Sequence, residues 1–183
     1  MASSPVHFLG SVVACDKSAR IDIDVASQSF AANDVAQSNN LLPIEIPCAT
    51  LTNGGWMHLY QLTFKELNVG VGTFLKADWR LHFVRNPYAV PAQNAAFKGP
   101  AEPNDYAGFV DILAAHWTAD GVEIGDGAGT DPDYAVVTRR FDRPLTFKAD
   151  ASRTSLYLVT ELLEVAAYGA SHAVRLELDW HRA

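Results

Sequence analysis

The chain has 183 residues, a formal net charge of −7 and two cysteines. That length supports one domain with a sizeable core. The acidic balance excludes a typical nucleic-acid binder, whose affinity comes from Lys and Arg neutralising phosphates. No stretch approaches the roughly 18 apolar residues of a membrane helix, so no membrane partner is expected.

Residues 1–19 read as an N-terminal arm or edge segment. Pro5, His7 and Gly10 interrupt their apolar stretch, and no basic n-region precedes it, so a signal peptide is not expected. Ile21, Ile23 and Val25 alternate with Arg20, Asp22 and Asp24, the period of a half-buried strand. Residues 26–40 are small and polar and read as a loop. In 42–51, Pro43 and Pro47 remove ladder donors, which places the segment at a sheet edge. Cys48 lies here and Cys15 in the arm; without a CxxC spacing both are expected as thiols.

Asn53-Gly54-Gly55 is a turn signal. The spacing then predicts a strand over 56–67, with His58, Tyr60, Leu62 and Phe64 on one face. Gly70-Val71-Gly72 reads as a turn or bulge. The next strand, over 75–85, puts Trp79, Leu81 and Phe83 on one face and Arg80, His82 and Val84 on the other. Asn86-Pro87 turns the chain into a Pro/Gly loop. Residues 108–117 read as a strand, although Ile112-Leu113-Ala114-Ala115 alone fits a helix.

Residues 118–133 read as an acidic, Gly-rich loop, followed by a strand over 134–140, a turn at Arg143-Pro144 and a short extended piece at 145–147. A strand over 155–163 alternates Leu156, Leu158 and Thr160 with Tyr157, Val159 and Glu161. The last strand is the clearest, with Val174, Leu176, Leu178 and Trp180 on the dry face. Eight or nine short strands with turn signals between most of them predict an all-β antiparallel sandwich or barrel, one domain over 20–183.

Candidate chemistry is sparse. The chain has no GxSxG elbow. His7, His58, His82, His116, His172 and His181 stand apart, without the HxH pair of a cupin-type metal centre. Asp120, Glu123, Asp126, Asp131 and Asp133 crowd one loop. Of these, Asp126, Asp131 and Asp133 are the candidate cation ligands, because hard cations gather several oxygens, although the spacing is not that of an EF-hand. Trp56, Tyr60, Trp79, Trp117 and Trp180 are candidate sugar-stacking rings, but aromatics in strands more often fill cores. No catalytic residue, cofactor or metal is assigned.

Several short elements occur in a particular order. Asp16-Lys17-Ser18-Ala19 leads into the first strand, and Phe30-Ala31-Ala32-Asn33-Asp34-Val35 follows. Leu81-His82-Phe83-Val84 runs into Asn86-Pro87. Then come Asn94-Ala95-Ala96-Phe97, Gly108-Phe109-Val110 and Thr154-Ser155-Leu156-Tyr157. In this order the chain resembles the capsid decoration, or head-stabilising, jelly-roll proteins of tailed bacteriophages. The long acidic loop and Asp105-Tyr106 depart from that pattern.

The resemblance implies a jelly roll of about eight strands. It also implies a non-enzymatic virion protein on the capsid surface, partnered by the major capsid protein and by itself as a homotrimer. The interface is expected on Val6, Phe8 and Leu9 of the arm and on the loop residues Phe97 and Tyr106. A tail or head-fibre adhesin that binds glycans, and a cupin-like metal enzyme, are the alternatives.

Overall fold

A computed structural model describes residues 17–37, 41–68, 74–124 and 133–183. In chain order the elements are β1 (Lys17–Ile23), β2 (Ser29–Phe30), β3 (Asp34–Val35), β4 (Ile44–Ile46), β5 (Trp56–Asn68), β6 (Trp79–Val84), a 3-10 turn (Pro103–Asp105), β7 (Tyr106–Ile112), α1 (Ala114–Asp120), β8 (Gly121–Ile124), β9 (Asp133–Lys148), β10 (Leu156–Leu162), β11 (Ala166–Ala167) and β12 (His172–Arg182). The first sheet has the order β1-β12-β5-β9-β8. The second has the order β3-β10-β6-β7, with β4 also paired to β10. Every pairing is antiparallel, and β2 and β11 form a small separate ribbon.

The two sheets pack as an all-β sandwich. Alternation supplies the filling: Val174, Leu176, Leu178 and Trp180 of β12 and Leu62 and Phe64 of β5 face Trp79, Leu81 and Phe83 of β6 and Leu156, Leu158 and Leu162 of β10. Phe64 meets Trp79 at 5.2 Å and Trp117 edge-on at 6.0 Å. Phe83 stacks on Phe147 at 4.1 Å. Burial of this apolar surface is the main stabilising term of the fold.

Four expectations change. On β5 the dry residues are Met57 and Leu59, then Leu62 and Phe64, so His58 and Tyr60 do not share the face of Leu62 and Phe64. The register shift between Leu59 and Gln61 leaves Tyr60 as an extra residue, and one extra residue reverses the alternation. Arg143-Pro144 does not turn the chain: β9 runs through it, with residues 141–144 bulged opposite Tyr60, where a missing Pro N–H costs no ladder bond.

The expected strand over 108–117 ends at Ile112. Helix α1 follows because its start is capped from a distance: Asp78 accepts the N–H of Ala114, and His116 Nδ1 accepts that of Leu113 at 2.9 Å. Strand β8 then lies where only a loop was expected, within 118–133. At the other end, β1 begins at Lys17, so Lys17–Ala19 lie on the edge strand of the first sheet.

Candidate functional site: a covered polar cluster on the second sheet

Strand β10 is buried on both faces. Its second face is covered by the chain that links β6 to β7. This cover is stitched to β3 by backbone bonds: Asn94 N–H donates to the Val35 carbonyl at 3.1 Å, Val35 N–H to that of Ala95 at 2.9 Å, and Phe97 N–H to that of Asn33 at 2.7 Å. Two of the sequence elements noted above, Phe30–Val35 and Asn94–Phe97, therefore meet in space. Asn33 and Asn94 both take a positive φ, +66° and +65°, which Asn tolerates better than most residues. Between cover and sheet, Val35, Val90 and Val159 form a small second core, with Tyr88 and Phe97 packed against it.

At the centre of this covered face lies His82, 4% exposed. Its Nε2 is 2.7 Å from Glu161 Oε2 on β10, and its Nδ1 is 2.9 Å from the Tyr106 hydroxyl at the start of β7. The Phe97 ring lies flat on the imidazole, 3.9 Å away with 8° between the planes. One rung along, Arg80 grips Asp111 with two bonds of 2.7 and 2.9 Å, and its guanidinium lies 4.4 Å over the Phe109 ring. Register explains the gathering. His82 stands opposite Val159 and Phe109, whereas Arg80 stands opposite Glu161 and Asp111. His82 thus reaches Glu161 along a diagonal, within range of long side chains.

Burial holds the His82 imidazole below its ordinary range, opposed by the hydrogen bond and charge of Glu161. Burial likewise pushes the hydroxyls of Tyr106 and Tyr88 up to about 12. The Asp111 bonds raise Arg80 further. Tyr106 therefore stays a phenol that donates to Nδ1, and Nε2–H donates to the carboxylate, a neutral imidazole held at both nitrogens. Such an arrangement fixes side chains in place. Both nitrogens are engaged and the ring is covered by Phe97, so a substrate has no approach to it.

Phe97 and Tyr106, expected as exposed loop residues, are half-buried here, and Tyr106 opens a strand. The structure brings the two together on His82. Val6, Phe8 and Leu9 lie outside the described residues, as do Cys15, Gly70-Val71-Gly72, Asp126 and Asp131. Cys48 is an exposed thiol. No three His, Cys, Asp or Glu among the described residues are placed to hold a metal ion. The cluster itself went unread because Glu161 lies 79 residues from His82, and the sole sequence signal was Arg80 and His82 sharing the second face of one strand.

A second buried carboxylate, Glu66 on β5, accepts the N–H groups of Leu75 and Lys76, both at 2.8 Å, with His172 Nε2 3.7 Å away. Burial raises its carboxyl above the usual range, against the two backbone bonds.

The outer face of the first sheet is divided. Most of its charges are partnered: Lys65 with Glu177 at 2.7 Å, Arg175 with Asp22 at 2.7 Å, and Gln61 bridging Asp179 and Arg140 at 3.1 and 3.0 Å. At the far end stand Trp56, His58 and Tyr60, with Lys148 5.6 Å over the Trp56 ring. Trp56 is 44% exposed, and Leu51, in the preceding turn, 57%. Trp79, Trp117 and Trp180 are core residues. Comparison of the chain with protein-family models, with curated proteins and with solved structures finds no match.

Proposed function

We propose that this chain is a non-enzymatic structural protein of a tailed-phage virion. It is a jelly roll that binds the outside of the capsid as a homotrimer and stiffens the shell. The strand order supports the jelly-roll part of this reading. Taken along the chain, β1, β4, β5, β6, β7, β9, β10 and β12 pass between the sheets to give β1-β12-β5-β9 over β4-β10-β6-β7, an arrangement of two interlocked Greek keys.

The observation that carries the docking part is the aromatic end of the first sheet. Single exposed apolar residues are ordinary. Here Leu51 and Trp56 lie five residues apart, with His58 and Tyr60 next along β5, at the end of a face most of whose charges are partnered. An exposed Trp and a half-buried Tyr next to largely neutralised polar ground have the make-up of a binding hot spot. Many copies on a regular shell turn a modest contact into a firm one, and a trimer suits local three-fold positions.

The test is co-sedimentation of wild-type protein and Trp56→Ser with capsids lacking it. Loss of a hot-spot side chain costs about 2 kcal/mol, roughly thirtyfold in affinity. Equal binding of the two proteins counts against this surface. The exposed Trp56 also favours a second reading, a tail or head-fibre adhesin that stacks sugars. Binding of the same pair to a glycan array, with no capsid binding, would select it.

A further inference from the structure

We propose that the His82 cluster is an acid-sensitive latch: it holds the segment 85–105 against the outer face of the second sheet, and protonation of His82 lets that segment lift. The inference is independent of the virion reading. It rests on three observations. The first is that the cover touches the cluster through Phe97, which lies face to face with the imidazole at 3.9 Å, so any change in the ring is felt by the segment. The second is that both ring nitrogens are committed, Nε2 to Glu161 at 2.7 Å and Nδ1 to the Tyr106 hydroxyl at 2.9 Å. The third is that the cover closes over only a small apolar group, Val35, Val90 and Val159, apart from the main core. A unit of that size opens at less cost than the sandwich itself.

The groups that face the imidazole decide what protonation does. From β6 comes the Arg80 guanidinium; from β7 come the Tyr106 hydroxyl and Asp111; from β10 comes Glu161; from the cover comes Phe97, with Tyr88 behind it in the same small core. Asp111 is already spanned by Arg80. Among the described residues Glu161 is thus the one carboxylate bonded to His82, and it is bonded to Nε2 in the neutral state too. The added proton therefore goes to Nδ1. There it meets the Tyr106 hydroxyl, which must give up its role as donor and turn its own hydrogen elsewhere. The imidazolium also carries a full charge beneath Phe97, away from water and two residues from Arg80. Lifting of the segment hydrates that charge.

A histidine whose folded value lies below its unfolded one binds its proton more readily in the open state. The latch holds at and above neutral pH and weakens as pH falls below about 6.5. One proton sets the steepest slope at about tenfold in the opening constant per pH unit.

Hydrogen exchange on the full chain between pH 7.5 and 5 tests this, with rates corrected for the intrinsic pH dependence of exchange. That range stays above the ordinary carboxylate values. The amides of Val90, Asn94 and Phe97, all hydrogen-bonded in the cover, should lose protection, by at most about thirtyfold for one proton. Those of Leu176 and Leu178 in β12 should not lose protection. His82→Gln, which cannot take a proton, should abolish the difference between the two pH values. A cover whose protection is independent of pH overturns the proposal, as does one that responds equally in His82→Gln. Should that variant fail to fold, the wild-type imidazole is followed by NMR. Titration of the His82 ring together with the loss of Phe97 amide protection supports the latch; titration with protection unchanged overturns it.

Discussion

Glu66 offers the sharpest test of how the end of the sandwich is closed. Its side chain is 2% exposed and accepts two backbone N–H groups, those of Leu75 and Lys76, which pin the chain entering β6. Glu66→Gln keeps the shape and one acceptor oxygen but replaces the other with an NH2 group. One N–H then faces a donor. An orphaned donor costs about 1–3 kcal/mol, and partial exposure of the chain around Leu75 places this one near the lower end. With a urea slope of about 1–3 kcal/mol/M, the unfolding midpoint should fall by roughly half a molar unit.

The effect has a defined pH dependence. Burial raises the folded Glu66 value, so its share of stability is present below the ordinary carboxylate value and is lost as pH rises through the raised one. The variant lacks that slope, so the gap between the two proteins should narrow from pH 5 towards 7.5. Urea melts of both proteins at both pH values read this directly. A variant as stable as wild type at pH 5, or a gap that widens with pH, refutes the account.

Two further perturbations follow from the backbone. Deleting Tyr60 removes the β5 bulge but leaves Met57 and Leu59 in phase with Leu62 and Phe64, so the sandwich should still form, with a loss below about 3 kcal/mol in a thermal melt; failure to fold by circular dichroism contradicts this register. Gly108 holds φ +143°, and an added Cβ would stand 3.2 Å from the Phe147 ring. Gly108→Ala should therefore lower stability by about 1–3 kcal/mol in a thermal melt.

Strands whose alternation runs unbroken were legible from the residues, as β12 and β1 show: Val174 to Trp180 and Ile21 to Ile23 face inward as their spacing predicts. Where the reading slipped, the deciding contact came from elsewhere in the chain. Tyr60 looks like any other strand residue, and only pairing with β12 and β9 makes it a bulge. The segment from Ala114 follows a strand without a local Ser, Thr, Asp or Asn cap, because Asp78 caps it from 36 residues away. The site was hidden for the same reason. Arg80 and His82 were placed on one face, but Phe97, Tyr106, Asp111 and Glu161 reach that face from three other stretches. The sequence puts Phe97 and Tyr106 in loops, as expected interface residues. Both touch His82 within the fold and remain half-buried.

The virion reading is tested most directly by cryo-EM of tailed-phage particles that encode this chain. It predicts repeated density of this sandwich on the outside of the capsid, three copies around local three-fold axes, with the turn bearing Leu51 and Trp56 against the shell. Density confined to the tail or portal vertex, or shells without the protein at all, would contradict it.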